Sequence, residues 1–218
     1  MYDIAIVGGG PAGATLARLV DNKYKVLLLE RRSFLDNMPR ASEKSCGGLL
    51  DPDAQRMMAR FGLGIPKSAL LSPQMFAVRT IDIANGLECY YQRHYINIDR
   101  NEFDKWLESI IPPSVTVMNE CVLKSFEEKE DHVTVRFNHR GKDFEERARL
   151  LVGADGAFST VRRQGSVMIP CPNYMYPYRS GLKPTKHRII TVPFLMRKLR
   201  IFTPGRYPRK TGLSSAQR

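Results

Sequence analysis

Tyr2-Asp3-Ile4-Ala5-Ile6-Val7-Gly8-Gly9-Gly10-Pro11-Ala12-Gly13 and, a helix-length further on, Lys25-Val26-Leu27-Leu28-Leu29-Glu30 are the two runs around which the chain is read. The first is short and apolar, as a parallel strand covered on both faces requires, and it leads straight into a G-x-G-x-x-G spacing. Gly8 allows the tight turn, Gly10 lets backbone approach a pyrophosphate, and Gly13 lets the next helix lie close to the strand. Pro11 suits a first helical turn because the N–H it lacks would be unpaired there, and Ala12 to Val20 carry apolar residues at helical spacing. The second run is another buried strand. It ends in a carboxylate about 20 residues past the glycines, where such an acid accepts ribose hydroxyls and repels a 2′-phosphate. An adenine dinucleotide, FAD or NAD rather than NADP, follows from this arrangement. A glycine-rich turn without a ligand is the bland alternative, and two strands, a helix and Glu30 in the expected order weigh against it.

Working outward, 218 residues with an apolar fraction of 43% make an ordinary globular core. The net charge of +12 suggests nucleic acid or a membrane surface until it is divided by position. Residues 163–218 hold 12 of the 34 Lys and Arg and none of the 22 Asp and Glu, so residues 1–162 carry 22 of each sign. The basic character belongs to the tail, and no nucleic-acid partner is expected for the rest. Cys46, Cys89, Cys121 and Cys171 contain no C-x-x-C pair, which points neither to zinc nor to a disulfide framework, and fits a reducing cytosol. The chain opens on a strand with no basic leader, and no apolar run reaches the roughly 20 residues of a membrane span. A cytoplasmic protein, peripheral to the membrane at most, is the expectation.

After Glu30 periodicity is lost through Arg31 to Ser45, a long loop near the ligand. Cys46-Gly47-Gly48 follows. Adjacent glycines let backbone come close to a flat ring and a small thiol can sit at a reaction centre, but a plain turn before the helix Asp51–Phe61 is the simpler account from spacing alone. Met75 to Ala84 and Leu87 to Ile98 alternate around Asn85-Gly86, a hairpin of a second sheet. Asp99 caps a helix from Arg100 to Ile111 with Phe103, Leu107 and Ile110 on one face, stopped by Pro112-Pro113. Arg100 either reaches a phosphate or is a solvated surface charge. Val115–Val117, Cys121–Glu128, His132–Asn138 and Asp143–Leu150 read as strands, and His132 and His139, with no partners at metal spacing, as surface residues. A further buried strand, Leu150-Leu151-Val152, runs into Gly153-Ala154-Asp155-Gly156-Ala157-Phe158-Ser159-Thr160-Val161-Arg162.

The first strand, Glu30, the Arg100 helix and this G-A-D-G-A-x-S-x-V-R stretch resemble the flavoproteins related to para-hydroxybenzoate hydroxylase. Within that group, Lys44-Ser45-Cys46-Gly47-Gly48 resembles the K-x-C-G-G of the geranylgeranyl reductase family. The resemblance covers residues 2–163. It implies an α/β, Rossmann-like FAD-binding domain of a parallel sheet with helices, discontinuous over about 1–50, 98–125 and 148–163, with part of an inserted β-rich substrate domain at about 66–97. It also implies FAD held by Gly8, Gly10, Pro11, Ala12, Gly13, Glu30 and Arg31, with Arg100 near the dinucleotide. Gly153, Asp155 and Gly156 would approach the ribityl-pyrophosphate region, and Cys46, Gly47 and Gly48 would line the flavin ring, Cys46 as candidate proton donor. The implied activity is reduction of carbon–carbon double bonds in isoprenoid chains, with NAD(P)H or ferredoxin as electron donor. An FAD-dependent aromatic monooxygenase or halogenase shares the same motifs and is the alternative.

From Gln164 the chain changes character, with seven of its 14 prolines and no acid. Back-translation from Met175, read two nucleotides on, restores acids and strand-like alternation and yields F-Y-S-W-T-I-P-K, which resembles the aromatic-tryptophan-proline-lysine signature of geranylgeranyl reductases. A frameshift just after Arg163 is therefore the expectation, with residues 164–218 unpacked and FAD binding impaired. The competing account is a genuine basic module whose Arg and Lys, interleaved with Tyr and Phe, neutralise phosphates and stack on bases, and which salt-dependent retention on a polyanion would reveal. Sequencing the DNA through the codons for Arg162 to Tyr174 separates the two.

Overall fold

A computed structural model of the chain describes residues 1–20, 23–33 and 48–165, together with the backbone of 189–191. Lys44 to Gly47, and with them Cys46, lie outside the described residues. The frame of the molecule is a mainly parallel sheet. Strands β1 (Tyr2–Val7) and β2 (Val26–Leu29) pair in parallel register, Ile4 with Val26 and Val7 with Leu29, and helix α1 (Pro11–Val20) connects them. Both strands are apolar throughout because both faces of the sheet are covered. Ile4, Ile6, Val26 and Leu28 face one way and pack with Ala17 of α1, whereas Ala5, Val7, Leu27 and Leu29 join the opposite core with Val135 and Phe137. Helix α1 buries Gly13, Ala14 and Ala17, residues small enough to let its axis lie close to the sheet.

Between β2 and the next strand of this sheet the chain builds a smaller one. It consists of β3 (Leu49–Leu50), helix α2 (Pro52–Arg60), a turn of 3-10 helix at Lys67–Ala69, and the antiparallel pair β4 (Met75–Asp82) and β5 (Leu87–Asn97), in the order β3-β5-β4. The predicted hairpin is present with a wider turn, because the Asp82 carboxylate accepts the N–H groups of Ala84 and Asn85 and ends the strand there. Asp99 caps helix α3 (Arg100–Ser109) as expected, its carboxylate accepting from Asn101 N and Glu102 N. The helix stops short of the predicted Ile111. Ile110 already leaves helical geometry, with ψ of 5°.

Strand β6 (Thr116–Met118) then extends the main sheet beside β2, and β7 (Cys121–Glu128), β8 (Val133–His139) and β9 (Lys142–Gly153) form an antiparallel meander. The order is β6-β2-β1-β9-β8-β7. Sequence alternation predicted two strands where β9 is one. Its first half pairs antiparallel with β8 as far as Ala148, and from Ala148 onward it pairs in parallel with β1, so the chain changes partner without breaking. Helix α4 (Thr160–Gln164) closes the described core with Val161 fully buried.

The tail also departs from expectation at one place. Beyond Ala148, β8 no longer covers the edge of β9, and the backbone of β10 (Ile189–Thr191) pairs there in parallel with Leu151–Gly153. An open row of backbone donors and acceptors is a template for such an addition. Among the described residues no helix is long and apolar enough to cross a membrane, and no group of His, Cys, Asp and Glu is placed to hold a metal ion.

Candidate cofactor site

The ends of β1, β2 and β9 meet at one edge of the parallel sheet, the position at which open α/β sheets bind ligands. Gly8 leaves β1 with φ +104°, a conformation natural only to glycine. A Cβ there would sit 2.5 Å from the Ala154 carbonyl oxygen, so the glycine turn rests on the loop after β9. At Gly13 a Cβ would lie 1.8 Å from the Gly8 carbonyl oxygen. The turn and the helix can touch only because both residues lack side chains. Gly8 N–H donates to Leu29 O at 2.7 Å and Ala154 N–H to Val7 O at 2.8 Å, which ties the three strand ends together. Gly10 is buried in the turn, and its carbonyl accepts the first helical bond from Ala14 N–H, with Pro11 and Ala12 forming the first turn of α1.

Glu30 is buried beside this turn. Its Oε2 accepts the Gly9 N–H at 2.6 Å, and its Oε1 accepts both the Arg32 N–H at 2.8 Å and Arg32 Nε–H at 2.9 Å. Burial pushes the carboxyl upward, but the hydrogen bonds and charge of Arg32, with the Gly9 N–H, hold it below the usual carboxylate range. Arg32 in turn donates through Nη1 to Asp104 Oδ2 at 2.7 Å, and Arg100 Nε–H reaches Asp104 Oδ1 at the same distance. Asp104 is fully buried. Four side chains of alternating sign, Glu30, Arg32, Asp104 and Arg100, therefore run from the glycine turn to the start of α3. Both Arg32 and Asp104 are absent from the sequence reading. Asp104 carried a signal, lying four residues after Arg100 and three before Leu107, where a carboxylate borders the apolar face of the helix.

Of the other predicted residues, Arg31 is exposed, and Gly48, at φ +66°, accepts the Ile98 N–H on its carbonyl at 2.7 Å. A Cβ on Gly48 would meet the Ile98 carbonyl oxygen at 2.3 Å, so what this glycine accommodates here is the protein's own backbone, two residues ahead of Arg100. Gly153 is crowded by Val161 of α4, 2.8 Å from a built Cβ, while Gly156 has open space but φ +88°. Asp155 Oδ2 accepts the N–H of Thr160 at 2.6 Å and of Val161 at 3.3 Å, while its Oδ1 is buried with no hydrogen-bond partner. His139 and His132 are half-buried rather than freely exposed. His139 Nδ1 lies 3.0 Å from Asn119 O and 3.3 Å from Cys121 Sγ, and the His132 side chain is 12% exposed beside Asp131. Burial pushes the Cys121 thiol up to about 11, which leaves it a protonated core residue rather than a nucleophile.

A model of the FAD binding domain family matches residues 1–182. The chain belongs to that family. The cofactor of FAD-binding domains being FAD, the choice between FAD and NAD left open by the ribose acid is closed. Protein CbrA of Escherichia coli (strain K12) is 44% identical over 162 residues, covering 74% of this chain and 45% of that protein. The CbrA of Escherichia coli O157:H7 is 42% identical over 176 residues, 81% of this chain and 46% of its own length. The chain thus spans a little under half the length of these curated relatives. Among solved structures it is similar to a geranylgeranyl bacteriochlorophyll reductase-like protein from Thermoplasma acidophilum, with TM-score 0.59 and 21% identity over 71% of this chain and 39% of that one. It is equally similar to p-nitrophenol 4-monooxygenase PnpA from Pseudomonas putida, at 0.57 and 23% over 75% and 43%. At these identities the likeness speaks for the fold, which reductases and oxygenases share.

The residues fit the FAD-binding domain's cofactor. A carboxylate offers about four acceptor positions and Glu30 uses three, which leaves one on Oε2 for a ribose hydroxyl. The orphaned Asp155 Oδ1 is a second acceptor at the same sheet edge.

Proposed function

We propose that this chain is the FAD-binding part of an oxidoreductase that reduces carbon–carbon double bonds of isoprenoid chains. The observation that carries the cofactor half of this reading is the meeting of the Gly8 turn, the Glu30 carboxylate and Asp155 at the ends of three parallel strands. Gly8, Gly10, Pro11, Ala12 and Gly13 present backbone and the N-terminus of α1 to the pyrophosphate. Glu30 accepts a ribose hydroxyl, Arg100 supplies positive charge at the start of α3, and Gly153, Asp155 and Gly156 bound the ribityl side. Bound FAD, once reduced by NAD(P)H or ferredoxin, supplies the two electrons that saturate a double bond. What the chain itself must add is an apolar wall and a proton donor beside the alkene, and Cys46, followed by Gly47 and Gly48, is the candidate donor.

The isoprenoid substrate is favoured by the K-x-C-G-G stretch at Lys44–Gly48, and a solved reductase-like protein of the same fold is compatible with it. The test is to measure bound flavin by absorbance in the purified protein. Dithionite-reduced protein is then incubated with a geranylgeranyl lipid under argon and the mass gain of hydrogen addition followed. Addition without oxygen uptake is the expected result. Turnover of an aromatic substrate with stoichiometric oxygen consumption would assign the protein to the monooxygenases or halogenases instead.

A further inference from the structure

We infer that Asp104 is a positioning residue of the adenosine site, acting through Arg32 to fix which oxygen of Glu30 a ribose hydroxyl meets. The inference rests on the reading of Glu30 as the ribose acceptor. Arg32 is a bridge between two carboxylates that come from different parts of the chain: its Nε–H and backbone N–H go to Glu30 Oε1, and its Nη1 goes to Asp104 on α3, 72 residues away. Oε1 is saturated by those two bonds, and Oε2 keeps an open position beside the Gly9 N–H. The orientation of the carboxylate is therefore set by the guanidinium, and the guanidinium is set by Asp104.

Two features separate this from an ordinary ion pair. Asp104 has no exposure to solvent and its Arg32 partner has 13%, so water contributes little to holding the pair in place. A buried ion pair is commonly no more stabilising than apolar residues of similar volume, and Asp104 sits between Phe103 and Leu107, both buried, where an apolar side chain would be at home. Its charge is explained by what it orients. Arg100, paired to the second Asp104 oxygen at 2.7 Å, holds the carboxylate from the other side, so that a single buried group sets both arginines at this end of the site.

The native chain, Asp104→Asn and Arg32→Gln are compared for binding of ADP and of its dideoxyribose analogue by calorimetry, with circular dichroism confirming that each is folded. Native protein should prefer ADP by about tenfold, the worth of a hydroxyl bonded to a charged acceptor. Both substitutions should pull that ratio down to about twofold, because the acceptor is no longer held. A merely structural role would lower both affinities together and leave the ratio unchanged, and a folded Asp104→Asn chain with the native ratio overturns the inference, as does an Arg32→Gln chain that keeps it. Native protein that binds neither ligand, or binds both alike, removes the ribose-acceptor reading of Glu30 and the inference with it.

Discussion

Gly9 and Arg32 grip the Glu30 carboxylate from two sides, and this fixes its orientation and its proton affinity together. Glu30→Gln keeps the shape but loses the charge that we propose meets a ribose hydroxyl, so flavin fluorescence quenching should report FAD binding weaker by about tenfold. Protonation acts the same way. Because the folded-state value of Glu30 lies below the ordinary 4.5, the unfolded chain takes up this proton first as pH falls. The stabilisation is complete above about pH 4.5 and is lost as pH drops through the lower folded-state value. Glu108 works in the opposite sense: burial, only partly offset by the Asn119 amide at 2.6 Å, raises its carboxyl, so its contribution is present at low pH and lost as pH rises through the raised value. Urea midpoints measured from about pH 6 down to about pH 3 should therefore fall less steeply in Glu30→Gln than in the native chain. Parallel curves would mean that Glu30 is not held below its ordinary value.

Among the elements, α1 is fixed by an absence of side chain. A methyl group at Gly13 would meet the Gly8 carbonyl oxygen at 1.8 Å, closer than any contact survives, so Gly13→Ala must push α1 off the sheet edge. We expect a loss of about 3 kcal/mol in denaturant unfolding and no measurable FAD binding. Asp99→Ala, which only uncaps α3, should cost about 1 kcal/mol by the same measurement. These two elements were legible in sequence because the information is local: glycine spacing for one, a capping acid and an apolar stripe for the other. The Arg32–Asp104 bond was not, since 72 residues separate its ends and nothing in the periodicity of either segment refers to the other. The unbroken length of β9 was hidden for a related reason. Its alternation changes at Ala148 where one neighbour replaces another, and a change of partner looks in sequence like a change of strand.

At the scale of the molecule, the β4–β5 hairpin is mostly exposed, and only the end of β5, at Tyr95 and Ile96, reaches a core. Phe76, Ile81, Leu87 and Tyr90 are each more than half exposed and Ile83 is 90% exposed, a larger bare apolar area than a single surface residue would account for. A solvatochromic dye should find it, and the combined variant Phe76→Ser, Ile81→Thr, Ile83→Ser, Tyr90→Thr should bind at least about twofold less dye with unchanged circular dichroism. Equal dye uptake would place the accessible apolar surface elsewhere. The main sheet has a different consequence, one of timing. Its central strand β1 is synthesised first but needs β9 on one side, and the Gly8 turn needs Ala154 beneath it. At about 15 residues per second, roughly ten seconds of translation separate the two. Through that interval the nascent chain carries a glycine turn with an open edge beside it, and the turn gains its support only when the ribosome has delivered the far end of β9.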